Sequence, residues 1–211
     1  MDNTIQLFST PIYKTSIIPS KEEKNDVDFF FNDIFSSIEK NIWPGESGKS
    51  TGCYDVDLHR RPEFYWLFDR MMHHLNTYWW EVLEYHNCLI PTVTSSWANL
   101  HLKGESTAVH SHIDGYDGMN HISGVFYYQK EEDEENIRFV NPLDSLLRCQ
   151  PYKNMKGIEE ISIPVSTKTY DLILFPSWLR HRVDGNKIDK PRIAISFNCR
   201  GNYSGTDNFI R

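Results

Sequence analysis

Apolar residues recur at helical spacing through the first third of the chain and give way to short alternating runs after it. Ser20 is followed three residues later by Glu23, the spacing of a capping box. Val27, Phe30, Phe31, Ile34, Phe35, Ile38 and Ile42 then fall on one face as far as Pro44-Gly45. This predicts an amphipathic helix stopped at the Pro-Gly step. A second helix is predicted from about Pro62, with Phe64, Leu67, Phe68, Met71, Leu75, Tyr78, Trp79 and Val82 forming its apolar stripe. Ahead of both lies an extended segment, Ile5 to Ile17, containing the Thr10-Pro11 step.

From Pro91 onward the runs are rich in Val, Ile, Thr, Phe and Tyr and are bounded by Gly, Asp, Asn and Pro. Strands are predicted near 93–103, 107–112, 121–129, 136–141, 160–165, 170–175, 181–184 and 192–199. Eight short strands are the count of a jelly-roll, cupin-like barrel. Helices that precede a run of strands pack outside such a barrel. The fold class is therefore mainly β with N-terminal helices. A chain of 211 residues with 39% hydrophobic content can bury one core. A single domain, 1–211, is expected, divided into a helical support region at 1–90 and a β-barrel core at 91–211. The acidic stretch Glu131 to Glu135 reads as a solvated turn.

A net charge of −7 provides no electrostatic footprint for a nucleic-acid backbone. No apolar run approaches the roughly 18 residues needed to span a bilayer, and the N-terminus lacks the pattern of a secretory signal, so no membrane association and a cytoplasmic location are expected. Cys53, Cys88, Cys149 and Cys199 are too widely spaced for a zinc or redox motif and are expected as free thiols. A homodimer is the default for any self-association. Gly48-Lys49-Ser50 imitates the end of a phosphate-binding loop. The pattern needs a glycine where this chain has Trp43, and a strand rather than a helix ahead of it, so nucleotide binding is rejected.

Candidate chemistry lies in the histidines. His59, His73, His74 and His86 fall in the helical region without convergent partners. His110 and His112 are expected to alternate within one strand and so share a face, and His181 comes from a later strand. Two ligands from one strand and a third from another would make a three-point facial cap on a metal, leaving positions free for substrates. Arg192 opens the run Arg192-Ile-Ala-Ile-Ser-Phe-Asn198, and a hairpin from His181 could place it deep in the barrel. A buried guanidinium needs a carboxylate partner, which a bound dicarboxylate would supply. Ser123 and Tyr127 share a face of one strand and could line the same interior.

These segments resemble the 2-oxoglutarate- and iron(II)-dependent oxygenase superfamily, and more closely a branch of it found widely in marine bacteria and their phages. The resemblance runs through Phe8-Ser-Thr-Pro-Ile-Tyr13, Trp97-Ala-Asn99, the stretch from Gly104 to His112, Ser123-Gly-Val-Phe-Tyr-Tyr128, Leu174-Phe-Pro-Ser-Trp-Leu179 with His181, and Arg192 to Asn198. It thus covers nearly the whole chain. It implies a double-stranded β-helix and an enzyme that uses Fe(II), 2-oxoglutarate and molecular oxygen. Such an enzyme hydroxylates an unactivated carbon of a peptidyl side chain such as proline, or of a small metabolite, with release of succinate and carbon dioxide. It also implies His110, His112 and His181 as iron ligands, and Arg192 and Tyr127, with Ser123 nearby, as contacts to 2-oxoglutarate.

Two departures from the superfamily pattern stand out. The usual His-x-Asp or His-x-Glu is His110-Ser-His112 here, and the alternative spacing His112-Ile-Asp114 retains a carboxylate. Asp114 therefore stays open as the alternative ligand, although it also precedes Gly115 in a turn signal. Ala194 stands where the usual Arg-x-Ser pattern has serine. The loop Asp114 to Asn120 leaves the metal-binding segment and could cover a substrate. A non-catalytic cupin-like binding protein is the competing reading, and a zinc hydrolase a third, since three histidines and a water also describe catalytic zinc.

Overall fold

Ser20 caps the first helix, α1 (Lys21–Ser37): its hydroxyl accepts from the Glu23 backbone N–H at 3.2 Å, and the Glu23 carboxylate accepts from the Ser20 N–H at 2.6 Å. Such a cap is worth about 1 kcal/mol. The structure, a computed structural model, describes residues 9–40, 47–54, 56–113, 119–132, 136–149 and 161–203. Helix α1 ends before the predicted stop. The Ser36 and Ser37 hydroxyls donate back to the Asp33 and Ile34 carbonyls, which competes with continued helix. Lys49 Nζ donates to the Phe35 carbonyl at the same end, so the lysine of the rejected phosphate-loop pattern serves the helix terminus. Ile38 remains buried beyond the last turn, whereas Ile42 and Pro44-Gly45 lie outside the described residues.

The second helix enters through a short 3-10 turn at Pro62–Phe64, runs as α2 (Tyr65–Thr77), and widens to a π turn over Tyr78–Val82. Its predicted stripe is buried from Phe64 to Trp79, while Val82 is exposed. No helix among the described residues is long and apolar enough to cross a membrane. No disulfide joins any of the four cysteines, all of which lie among the described residues.

Among the described residues ten strands form two antiparallel sheets. They are β1 (Tyr13–Ser16), β2 (Lys49–Ser50), β3 (Leu89–His101), β4 (Thr107–His110), β5 (Ile122–Gln129), β6 (Ile137–Val140), β7 (Ser162–Val165), β8 (Asp171–Pro176), β9 (His181–Val183) and β10 (Arg192–Tyr203). The eight predicted strands are present. The other two, β1 and β2, come from the region read as helical support and close the edges of the larger sheet, whose order is β1-β8-β5-β10-β3-β2. The smaller sheet has the order β4-β9-β6-β7, and a short helix not predicted from sequence, α3 (Asp144–Leu147), follows β6. The two sheets make up the double-stranded β-helix without a hydrogen-bonded ladder joining them among the described residues.

Period-two alternation sorts the larger sheet into two faces. Ala98, Ile122, Phe126, Leu172, Leu174, Ile195 and Phe197 pack with Phe31, Phe64, Phe68 and Met71 of the helical layer. Each such buried side chain contributes roughly 1.5–3 kcal/mol. The opposite face carries Val125, Tyr127, Ile173, Phe175 and Ala194 toward the smaller sheet. The helices thus brace one face and leave the other for chemistry.

Gly124 on β5 is the register partner of Phe197, and a Cβ there would come within 2.1 Å of that ring. Gly124→Ala should therefore lower stability by about 1–3 kcal/mol, the usual cost of overpacking, read as a fall in urea midpoint at unchanged slope.

Candidate metal centre and co-substrate pocket

Strands β4 and β9 are antiparallel partners, and their register sets His110 directly opposite His181. Side chains so opposed are in contact, and the two ring centroids lie 4.4 Å apart. His112 arrives by a different route from the one predicted. Strand β4 ends at His110, so strand alternation does not place His112; it follows in the turn. There its backbone N–H donates to the Ser177 carbonyl at 2.9 Å, and its carbonyl accepts from Asn120 Nδ2 at 3.0 Å. Its ring stacks on Trp97, with centroids 5.6 Å apart and planes 25° from parallel. The result is still convergence. His110 Nε2 and His112 Nε2 are 2.9 Å apart, and one ring nitrogen from each of the three histidines lies within 4.8 Å of the other two. Asp114 and the loop residues up to 118 lie outside the described residues.

The other ring nitrogens determine what faces this point. Nδ1 of His110 meets the Ala108 carbonyl at 2.8 Å, Nδ1 of His181 the Leu179 carbonyl at 3.0 Å, and Nδ1 of His112 the Asn198 side-chain oxygen at 2.7 Å. All three partners are acceptors, so each Nδ1 donates, and the Nε2 atoms of the rings face one another. Burial, and then the neighbouring His110, hold His112 down to about 4. His181 is driven well below the ordinary histidine range by burial first, then by His110 and His112. Neutral imidazoles with converging ring nitrogens make a donor set suited to a first-row divalent metal.

Arg192 opens β10 and is 1% exposed. It does not reach the interior by a hairpin from His181. Strand β9 belongs to the smaller sheet and β10 to the middle of the larger one, so the link 184–191 crosses between sheets. Arg192 thus faces the pocket from the opposite sheet, with His101 of β3 as its register partner. Tyr127, 1% exposed, lies on the same inner face as the partner of Ala194. A cavity of about 60 Å³ is walled by the three histidines, Arg192, Tyr127 and His101, with Trp97 and smaller side chains between them.

Ser123 occupies a different place from the one expected. It is fully buried behind His112 and does not line the cavity. Its hydroxyl donates to Asn198 Oδ1 at 2.8 Å and meets the Ser177 hydroxyl at 2.8 Å. His101, which the sequence reading passed over, does line it. Burial first, then Arg192, hold His101 down to about 4, and its Nε2 meets Thr107 Oγ1 at 3.2 Å. A neutral His101 leaves Arg192 as the cationic member of that cross-strand pair. The signal that could have found His101 is its period-two relation to Trp97 and Asn99, which puts it on their face.

Residues 95–198 match a family model described as "Putative 2OG-Fe(II) oxygenase". No curated protein matches the chain. Among solved structures, it resembles a Pseudomonas putida prolyl-4-hydroxylase at TM-score 0.58 and 11% identity, over 92% of this chain and 94% of that one. A prolyl hydroxylase from Trichoplax adhaerens, in complex with a hypoxia-inducible-factor peptide fragment, aligns at TM-score 0.59 and 11% identity, over 89% and 82% of the two chains. HygX from Streptomyces hygroscopicus, with nickel and 2-oxoglutarate bound, aligns at TM-score 0.54 and 11% identity, over 90% and 82%. These likenesses concern the fold. The family match runs across the three histidines and Arg192, and over that stretch the chain is similar to the 2OG-Fe(II) oxygenases, enzymes that use iron(II) and 2-oxoglutarate.

Proposed function

We propose that His110, His112 and His181 hold the iron(II), that Arg192 with Tyr127 binds the distal carboxylate of 2-oxoglutarate, and that the enzyme hydroxylates a peptidyl side chain such as proline, or a small metabolite. The observation that carries this reading is convergence: one ring nitrogen from each of the three histidines lies within 4.8 Å of the other two, while each Nδ1 is engaged by an oxygen on its far side. Bound iron(II) and 2-oxoglutarate, with molecular oxygen, supply oxidative decarboxylation to succinate and carbon dioxide coupled to oxidation of a substrate carbon–hydrogen bond. The chain's own residues do the rest. Arg192, in a low-dielectric wall, fixes one end of a dicarboxylate. The apolar stretch of Val125, Ile137 and Val183 along the cavity limits water around it.

Arg192 also separates this reading from a zinc hydrolase, which has no use for a guanidinium in the same cavity. A peptidyl or a small-molecule substrate is in keeping with the structural relatives, which include a prolyl hydroxylase holding a peptide and HygX with hygromycin B bound. Free thiols fit action in a reducing, cytoplasmic setting.

Metal-free protein mixed with iron(II) and 2-oxoglutarate under nitrogen should develop a visible charge-transfer band, and admission of air should yield succinate. A band without succinate would instead indicate the non-catalytic binding protein. Arg192→Ala should leave metal binding intact while raising the 2-oxoglutarate concentration for half-maximal band intensity. A charged hydrogen-bonded pair is worth about 1.5–3 kcal/mol, which corresponds to a factor of roughly 10 to 150. His112→Ala should abolish iron binding and Asp114→Asn preserve it, both read by equilibrium dialysis; the reverse result would transfer the third ligand to Asp114.

A further inference from the structure

His112 differs from the other two histidines in how its ring is held. His110 and His181 each donate Nδ1–H to the backbone carbonyl two residues upstream, an acceptor that no side-chain change removes. His112 stands on a turn beyond the end of β4, and its acceptor is a side chain from the opposite sheet, Asn198, 86 positions away in sequence.

Asn198 is itself held from both sides. It lies on the middle strand of the larger sheet, with Ser95 of β3 and Ser123 of β5 as its register partners. Its Nδ2 donates to Ser95 Oγ at 3.3 Å, with Oδ1 toward His112. Oδ1 accepts the Ser123 hydroxyl at 2.8 Å as well as His112 Nδ1–H, and Ser123 in turn meets Ser177, whose carbonyl receives the His112 backbone N–H. Trp97 stacks on the imidazole. The turn and the ring are therefore tied to one polar cluster.

From this we infer that Asn198, supported by Ser123, is a positioning residue that sets the tautomer and orientation of His112 so that Nε2 faces the metal. The inference rests on the reading of the three histidines as ligands. An amide oxygen is suited to the task because it accepts a hydrogen bond without adding charge. Carboxylates and carbonyls in this position orient imidazole ligands, and their loss typically costs 10- to 100-fold in metal affinity.

The test uses the full chain and two readouts. Imidazole ¹⁵N shifts of the metal-free protein should show all three histidines protonated on Nδ1. In Asn198→Leu, close in size but without an acceptor, His112 alone should lose that preference, and the dissociation constant for Co(II) or anaerobic Fe(II) should rise about 10- to 100-fold. Asn198→Asp, which restores an acceptor, should keep the Nδ1–H form and bind metal no more weakly than the wild type. His112 protonated on Nε2 in the wild-type spectrum would overturn the proposal even if Asn198→Leu failed to fold, as would unchanged metal affinity in a folded Asn198→Leu. His110→Ala separates the two levels: if it binds metal as tightly as wild type, the ligand reading itself fails. If it loses metal while Asn198→Leu does not, only the role of Asn198 fails.

Discussion

Three imidazole rings stand with a nitrogen apiece within 4.8 Å of one another, and each turns its other nitrogen to an oxygen. Two backbone carbonyls and one amide oxygen provide those acceptors. Burial first disfavours the charged form of His112 and His181, and the neighbouring imidazoles, whose protonation would set cations against each other, add to it. The remainder of the architecture serves this arrangement.

The two sheets divide the labour. The smaller sheet brings His110 and His181 together as partners across one antiparallel pair, after a register shift between Thr107 and His110. The larger sheet is braced on its outer face by α1 and α2, and its inner face presents Arg192, Tyr127 and Asn198. Its rigidity comes from aromatic packing well away from the cavity, such as Phe31 against Tyr128 and Phe68 against Phe197. A helical layer that touches none of the proposed ligands therefore still sets where the guanidinium stands relative to them.

Much of this is legible in the sequence because it is local. The capping box at Ser20, the apolar faces of both helices and the alternation of eight strands are properties of residues a few positions apart. What escapes such reading is pairing. Nothing in the pattern says that β9 joins β4 and β6 while β10 joins β3 and β5, so Arg192 was expected across a hairpin from His181 rather than across the cavity. Strand ends escape too. Alternation was extended through His112, whereas the ladder stops at His110, and the histidine is retained by hydrogen bonds to Ser177, Asn120 and Asn198, all distant in sequence. Ser123 was assigned the correct strand face and the wrong neighbour, because a face is periodic and a hydrogen-bond partner is not.

That His112 sits on a turn has an evolutionary consequence. A ligand within a ladder is bound up with strand pairing, so replacing it puts the sheet at risk. A ligand just beyond the last rung is free of that obligation. The backbone hydrogen bonds that hold this position would survive a change of its side chain from imidazole to carboxylate, and such a change would alter the charge of the proposed metal cap without touching either sheet. The proposed partnership predicts where the second substitution falls: position 198 should change in step with position 112, as two letters of one word.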